Sequence, residues 1–285
     1  MADRANEIEL LDAGVRRRLE RFGLLTIDRP APAAEGFRLD AGAWATADLR
    51  FDPGPGWSGR AWPAAPWRVE VEGLTLELRP TASGGIGVYP EHAGNVGWLE
   101  AQVGRASVSK RARGEAGPPE VLNLFAHTGL ATLALARAGA AVTHVDGARS
   151  VVAWARRNAE VSGLADRPVR WLVDDAGGFV AREARRGRRY DGIVLDPPAF
   201  GRGRGREWRL EDDLPELLAG CRTIATDRAF VLLTAHAEGL DGQPLREMLA
   251  EAFARPRGAV DLGPLELHAR SGARVHLGWA ARLGA

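Results

Sequence analysis

Three acids or acid pairs follow short apolar runs between residues 121 and 200, and their spacing is what chemistry at this chain would use. Asp146 closes Val142-Thr143-His144-Val145. Asp174 and Asp175 follow residues 169–173. Asp196 follows Ile193-Val194-Leu195 and opens Asp196-Pro197-Pro198-Ala199-Phe200. A fourth run, Val121-Leu122-Asn123-Leu124, leads into Phe125-Ala126-His127-Thr128-Gly129. A single carboxylate at a strand end accepts hydrogen bonds from both hydroxyls of a ribose, and an acid one strand further on can read an adenine amino group. Gly129 marks a point where a ligand approaches backbone closely. No G-x-G-x-x-G is present, so a ligand lacking a pyrophosphate fits better than a dinucleotide. The bland readings are an acid at a helix N-terminus for Asp146 and a plain strand-ending turn for the double proline.

The double proline carries the sharpest signal. Pro197 and Pro198 fix φ and remove two amide donors, so the run is expected to end in a rigid turn with free carbonyls toward the cleft. Such a carbonyl can accept from an amine or a base edge, and Phe200 can stack on a planar substrate. His127 and His236 are candidate bases, with a structural role as the alternative. Arg202, Arg204 and Arg206, spaced by glycine, are candidate phosphate contacts or a solvated loop. Arg182, Arg185, Arg186, Arg188 and Arg189 read as a solvated helix end.

These residues need a scaffold of alternating elements. Strands at 121–124, 141–145, 169–173, 190–195 and 229–234 alternate with helices at 131–138, 150–162, 178–186, 210–218 and 244–253, which predicts βαβ units and a parallel sheet. Residues 262–268 and 274–280 around Ser271-Gly272 predict a closing antiparallel hairpin. Upstream, residues 8–19 read as a helix exposing Arg16, Arg17 and Arg18, followed by a strand at 24–27. Residues 31–66 read as irregular, with Trp44, Trp57 and Trp62 as aromatic filler or base-stacking platforms. A hairpin is expected at 67–78, a glycine-rich turn and strand at 83–90, a helix at 95–103 and a linker at 110–119. Domains are expected at 1–110 and 111–285.

Bulk properties bound the rest. The chain has 285 residues, 45% hydrophobic and 26% charged, with a net charge of +1, so no whole-molecule field draws nucleic acid. Lys110 is the single lysine, which marks an arginine-biased composition rather than a function. The one cysteine, Cys221, excludes an internal disulfide and a Cys-rich metal site. It sits in Leu217-Leu218-Ala219-Gly220-Cys221, which reads as an inert buried position. With no apolar run of about 18 residues and no signal-peptide pattern, a soluble cytoplasmic protein without membrane or metal partners is the expectation.

The ordered series Leu122-Asn123-Leu124-Phe125-Ala126-His127-Thr128-Gly129, Val145-Asp146, Val173-Asp174-Asp175-Ala176 and Leu195-Asp196-Pro197-Pro198 resembles class I S-adenosylmethionine (SAM)-dependent methyltransferases. More narrowly it is similar to the bacterial group that includes the large-subunit rRNA cytosine-5 methyltransferases. Leu10-Leu11-Asp12, Tyr89-Pro90-Glu91-His92 and Trp208-Arg209-Leu210-Glu211-Asp212-Asp213 extend the likeness over most of the chain. The resemblance implies an α/β, Rossmann-like, mainly parallel seven-stranded sheet with an antiparallel last strand, plus a smaller β-containing N-terminal domain. It implies SAM as cofactor, with Asn123, Phe125 and Gly129, and Thr128 among them, along its methionine and ribose side. Asp146 would hold the ribose and Asp174 or, preferentially, Asp175 the adenine. Asp196 would face the methionine amino group or the methyl-transfer centre, with Pro197 and Phe200 beside it.

Cytosine-5 members carry a cysteine just after the fifth strand, where this chain has Thr234-Ala235-His236. Methylation of nitrogen, on an RNA base and foremost rRNA, is therefore the expectation. A small-molecule or protein methyltransferase is the alternative, and a nicotinamide oxidoreductase a distant one.

Overall fold

A computed structural model describes residues 7–60, 62–63, 66–202, 207–236 and 241–285. The chain divides into two compact units, Met1–Ala93 with Leu265–Leu277, and Gly94–Pro264 with Gly278–Ala285. The expected boundary at 110/111 falls inside a helix.

The first unit is built on strands. β1 (Ile8–Gly14), β2 (Arg17–Phe22), β3 (Leu25–Pro30), β4 (Leu49–Asp52) and β5 (Gly56–Gly59) form one sheet in that order, with a single turn of helix, α1 (Ala41–Trp44), between β3 and β4. β6 (Trp67–Val71) and β7 (Leu74–Leu78) pair as the expected hairpin. The helix expected over 8–19 is instead the β1–β2 hairpin, turned by Val15 and Arg16 with φ of 54° and 58°. Apolar residues four apart fit a helix, but ion pairs across strands decide otherwise. Arg17 Nε lies 2.5 Å from Asp28, and Arg29 Nη2 lies 2.6 Å from the fully buried Glu20. A helix would leave the arginines in water and these carboxylates without partners. The segment 31–66, expected to be irregular, holds α1, β4 and β5, and no strand forms over 83–90. Three tryptophans of this unit pack on one another: Trp57 and Trp62 have centroids 5.1 Å apart, Trp62 and Trp67 5.5 Å.

The second unit begins with α2 (Ala93–Ala112), which runs well past the expected 95–103 and into the expected linker. There follow β8 (Glu120–Leu124), α3 (Leu130–Arg137), β9 (Ala141–Asp146), α4 (Arg149–Val161), β10 (Val169–Val173), α5 (Ala176–Arg185) and β11 (Tyr190–Leu195). The chain continues through a small hairpin, β12 (Phe200–Arg202) and β13 (Glu207–Arg209), then α6 (Leu210–Ile224), β14 (Ala225–Ala235), α7 (Gly242–Ala252), β15 (Val260–His268) and β16 (Arg274–Leu283). The seven-stranded sheet has the order β10-β9-β8-β11-β14-β16-β15. β8 to β11 and β14 pair in parallel, and β16 runs antiparallel to β14. Every residue of β11 is buried, as a central parallel strand covered on both faces requires. The direction of strand progression reverses between β8 and β11, so the crevice outside their carboxyl ends is the place for a ligand.

Candidate active site

Three strands deliver the acids to that crevice. β8 ends in a loop whose backbone is held in an uncommon form: Phe125 and His127 have φ of 53° and 47°, and Gly129 has 93° at the start of α3. Left-handed conformations in Phe and His cost about 1–3 kcal/mol each and persist only where surrounding bonds impose them. Ala126 N–H donates to Val145 O at 3.1 Å and His127 N–H to Asp146 Oδ2 at 2.9 Å. A Cβ at position 129 would sit 3.1 Å from Ala155 Cβ, so both conformation and contact favour glycine there.

Asp146, at the end of β9, accepts from His127 N–H through Oδ2 and from Ala148 N–H through Oδ1, each at 2.9 Å. A carboxylate has about four acceptor sites, so two anchor it and two remain for a vicinal diol. After β10 the two acids separate in role. Asp174 is ion-paired with Arg182 and accepts from Asp175 N–H, whereas Asp175 caps α5 through Oδ1, accepting from Gly178 N–H at 2.8 Å. Of the pair, only Asp175 keeps a carboxylate oxygen with no partner among the described residues. Arg182, expected to be a solvated helix end, is what engages Asp174.

At the end of β11, Thr234 Oγ1 donates to Asp196 Oδ1 at 2.6 Å, and His236 Nε2 stands 3.5 Å from the same oxygen. A bridge between Pro198 and His236 continues the β11–β14 pairing past the strand. Pro197 is buried, and Phe200 is 77% exposed at the start of β12. The expectation of free carbonyls in this turn is corrected at two positions: Pro198 O accepts from Trp208 Nε1–H at 2.7 Å, and Ala199 O accepts from Leu210 N–H at 3.0 Å. The Trp208 ring also packs on Phe125 with centroids 5.3 Å apart. One indole thus ties the β8 loop to the proline turn, a role that single-residue reading of the sequence missed. The signal was there in the strand-like Glu207-Trp208-Arg209 returning from Phe200-Gly201-Arg202.

Asn123 is not brought to the crevice. It is 2% exposed, and its Nδ2 donates to Thr132 Oγ1 at 2.9 Å, which lies 2.9 Å from His144 Nδ1. Its amide is committed to a buried network joining β8, α3 and β9. Thr128 is likewise buried, with its carbonyl accepting from Asn158 Nδ2–H at 2.9 Å. His127 Nδ1 lies 3.3 Å from Thr128 Oγ1. Arg204 and Arg206 lie outside the described residues, and of Arg202 only the backbone, in β12, is described. Cys221 is fully buried on α6, where burial pushes its thiol up to about 12.

No family model matches this chain. A solved SAM-dependent methyltransferase from Agrobacterium tumefaciens is 33% identical to it over 99% of this chain and 91% of its own, with a TM-score of 0.85. This chain belongs to the SAM-dependent methyltransferases.

A Streptococcus mutans chain described as a SAM-dependent methyltransferase is 14% identical over 98% of this chain and 76% of its own, with a TM-score of 0.72, which shows a shared fold. Among curated proteins, the ribosomal RNA large subunit methyltransferase K/L of Shewanella frigidimarina is 31% identical over 126 residues, and that of Stutzerimonas stutzeri 31% over 179 residues. These matches span 17% and 22% of the relatives' length and 43% and 59% of this chain. The methyltransferase uses SAM as cofactor, and the crevice suits it: a close-approach glycine, an anchored ribose-type acid, a second acid one strand on, and no dinucleotide fingerprint. Among the described residues, no helix is long and apolar enough to cross a membrane.

Proposed function

We propose that this methyltransferase transfers the methyl group to a nitrogen of an RNA base, with ribosomal RNA as the favoured substrate. The observation that carries the nitrogen assignment is the placement of Cys221. Cytosine-5 chemistry needs a thiolate that adds to the base. The single thiol of the chain is instead sealed in the core and held protonated, and β14 ends in Thr234-Ala235-His236. A nitrogen lone pair needs no covalent activation, only alignment and exclusion of water.

Bound SAM supplies an electrophilic methyl on a sulfonium. In this reading Asp146 would hold the ribose of SAM and Asp175 its adenine. Asp196, oriented by Thr234, faces the amino group of cofactor or base, and the exposed Phe200 stacks on the base plane. The site would hold the acceptor nitrogen beside the Asp196 carboxylate, which would take the proton that the nitrogen sheds. Arg202, Arg204 and Arg206 hold the flanking phosphates. A base within a duplex must first be flipped out. The methyltransferase K/L names of the curated relatives support the RNA assignment.

The net charge of +1 favours a second reading, methylation of a small molecule or protein. The test is transfer of labelled methyl from SAM into RNA, protein and small-molecule fractions of cells lacking the gene. Label in nuclease-sensitive material, recovered as an N-methylated nucleoside, is the expected result. Label confined to the other fractions rejects the RNA reading. Cys221→Ser keeps full methyl transfer; its complete loss with SAM binding preserved would restore carbon chemistry.

A further inference from the structure

A second polar cavity lies in the same unit but at the opposite edge of the sheet. Its volume is about 210 Å³, and it is lined from α2 by Arg105, Ser109 and Arg113, and from the amino-terminal ends of β11 and β14 by Asp191, Thr226 and Arg228. β11 is six residues long, so at about 3.3 Å per residue this edge is roughly 20 Å from the crevice that holds Asp196.

Several arginines of the unit are committed to ion pairs. Arg137, Arg157, Arg182, Arg186, Arg188 and Arg282 are each paired with a carboxylate. Arg105 and Arg228 make no hydrogen bond or ion pair among the described residues, and the Thr226 hydroxyl has no partner there either. Arg113 is tied to Glu115 and to Ser109 Oγ, which fixes its guanidinium at the rim. The floor carboxylate, Asp191, is already answered: its Oδ2 accepts from Lys110 Nζ at 3.1 Å and from Glu120 N–H at 3.0 Å. With Ala106 and Ala285 completing the lining, the donors left over are two guanidinium forks and a hydroxyl. Planar forked donors match the oxygens of a phosphoryl group.

We propose that this cavity is a phosphoryl-binding site, built by Arg105, Arg228 and Thr226, separate from the methyl-transfer centre. The ligand chemistry is a phosphate monoester or diester, either free or in the backbone of an RNA that wraps to this edge. The site does not depend on which substrate is methylated, since it takes its ligand through oxygen acceptors alone.

Two titrations on the full chain decide it. In the first, inorganic phosphate is titrated into the wild-type protein and into the R105A/R228A double variant by calorimetry, with SAM affinity as the control for folding. Phosphate binds the wild type, the double variant binds it at least tenfold more weakly, and SAM affinity is the same in both. In the second, a single-stranded RNA oligonucleotide is titrated at several salt concentrations. If the slope of log K against log [salt] is shallower in the double variant by about 1.4, for two lost contacts, the phosphate belongs to RNA. An unchanged slope with the phosphate result intact assigns the site to a free phosphoryl ligand. No phosphate binding by the wild type, or binding that the double variant retains, overturns the proposal. Neither result bears on methyl transfer, so the RNA-base reading stands or falls by its own test.

Discussion

In the proposed reading, the single carboxylate of Asp146 serves as both anchor and ligand. Its two oxygens each accept one amide of the neighbouring loops, which fixes the direction of the lone pairs left over. Asp146→Ala removes the proposed ribose acceptor and the bond that His127 N–H donates to it. Charge-assisted hydrogen bonds contribute about 1.5–3 kcal/mol each, so SAM should bind roughly 100-fold more weakly by calorimetry; unchanged affinity would refute the assignment. At this scale the sequence displayed the acids and the glycine, because both lie at strand ends that apolar runs make visible. It did not distinguish Asn123 as a core residue. The side chain alternates with its neighbours in a strand buried on both faces, and no pattern of residue types says that Thr132 and His144 will meet it. Nor did it show that Asp174 would be taken by Arg182, eight residues further on.

Two elements make predictions of their own. The β12–β13 hairpin holds the proline turn through Trp208, whose N–H satisfies Pro198 O while its ring lies against Phe125. Trp208→Ala frees both and should lower kcat by about 10- to 100-fold, since misplacement of about 1 Å costs that much. Trp208→Phe, which keeps a ring but no donor, should fall between; an unaltered kcat in both would show that the turn holds itself. The Asn123–Thr132–His144 network predicts a pH effect. Burial lowers the His144 imidazole to about 3, with the charge of His127 adding to it. The unfolded chain, with an ordinary histidine near 6.5, therefore binds a proton that the native state refuses. Stability is full above about pH 6.5 and falls as the pH drops toward 3, by up to about 1.4 kcal/mol per unit for this group. In urea unfolding between pH 7 and 5, His144→Gln should be the less pH-sensitive protein; equal slopes would discount the network. Most elements of the second unit were visible from alternating apolar runs and caps. The β1–β2 hairpin was not, because Leu11, Val15 and Leu19 repeat at helical spacing. β2 is held as a strand by its pairing with β3, where Glu20 meets Arg29, and that contact is known only once the strands are set side by side.

For the molecule as a whole, the important feature is that neither compact unit is one continuous stretch of chain. The N-terminal unit's small core of Leu10, Ala13, Ala31 and Ala34 is completed by Val275, with Leu267 and Leu277 packed against it. A fragment ending at residue 93 leaves that face bare. Its β1 amides should exchange with deuterium at least tenfold faster than the same amides in the intact protein, and equal protection would show that the late segment is dispensable. The order of synthesis then has a cost. Some 170 residues separate Ala93 from Leu265, so at roughly 5–20 residues per second a ribosome needs about 10–35 seconds to deliver the missing piece. During that interval the nascent sheet carries an uncovered apolar face beside a growing chain, and a holding chaperone would find its client there.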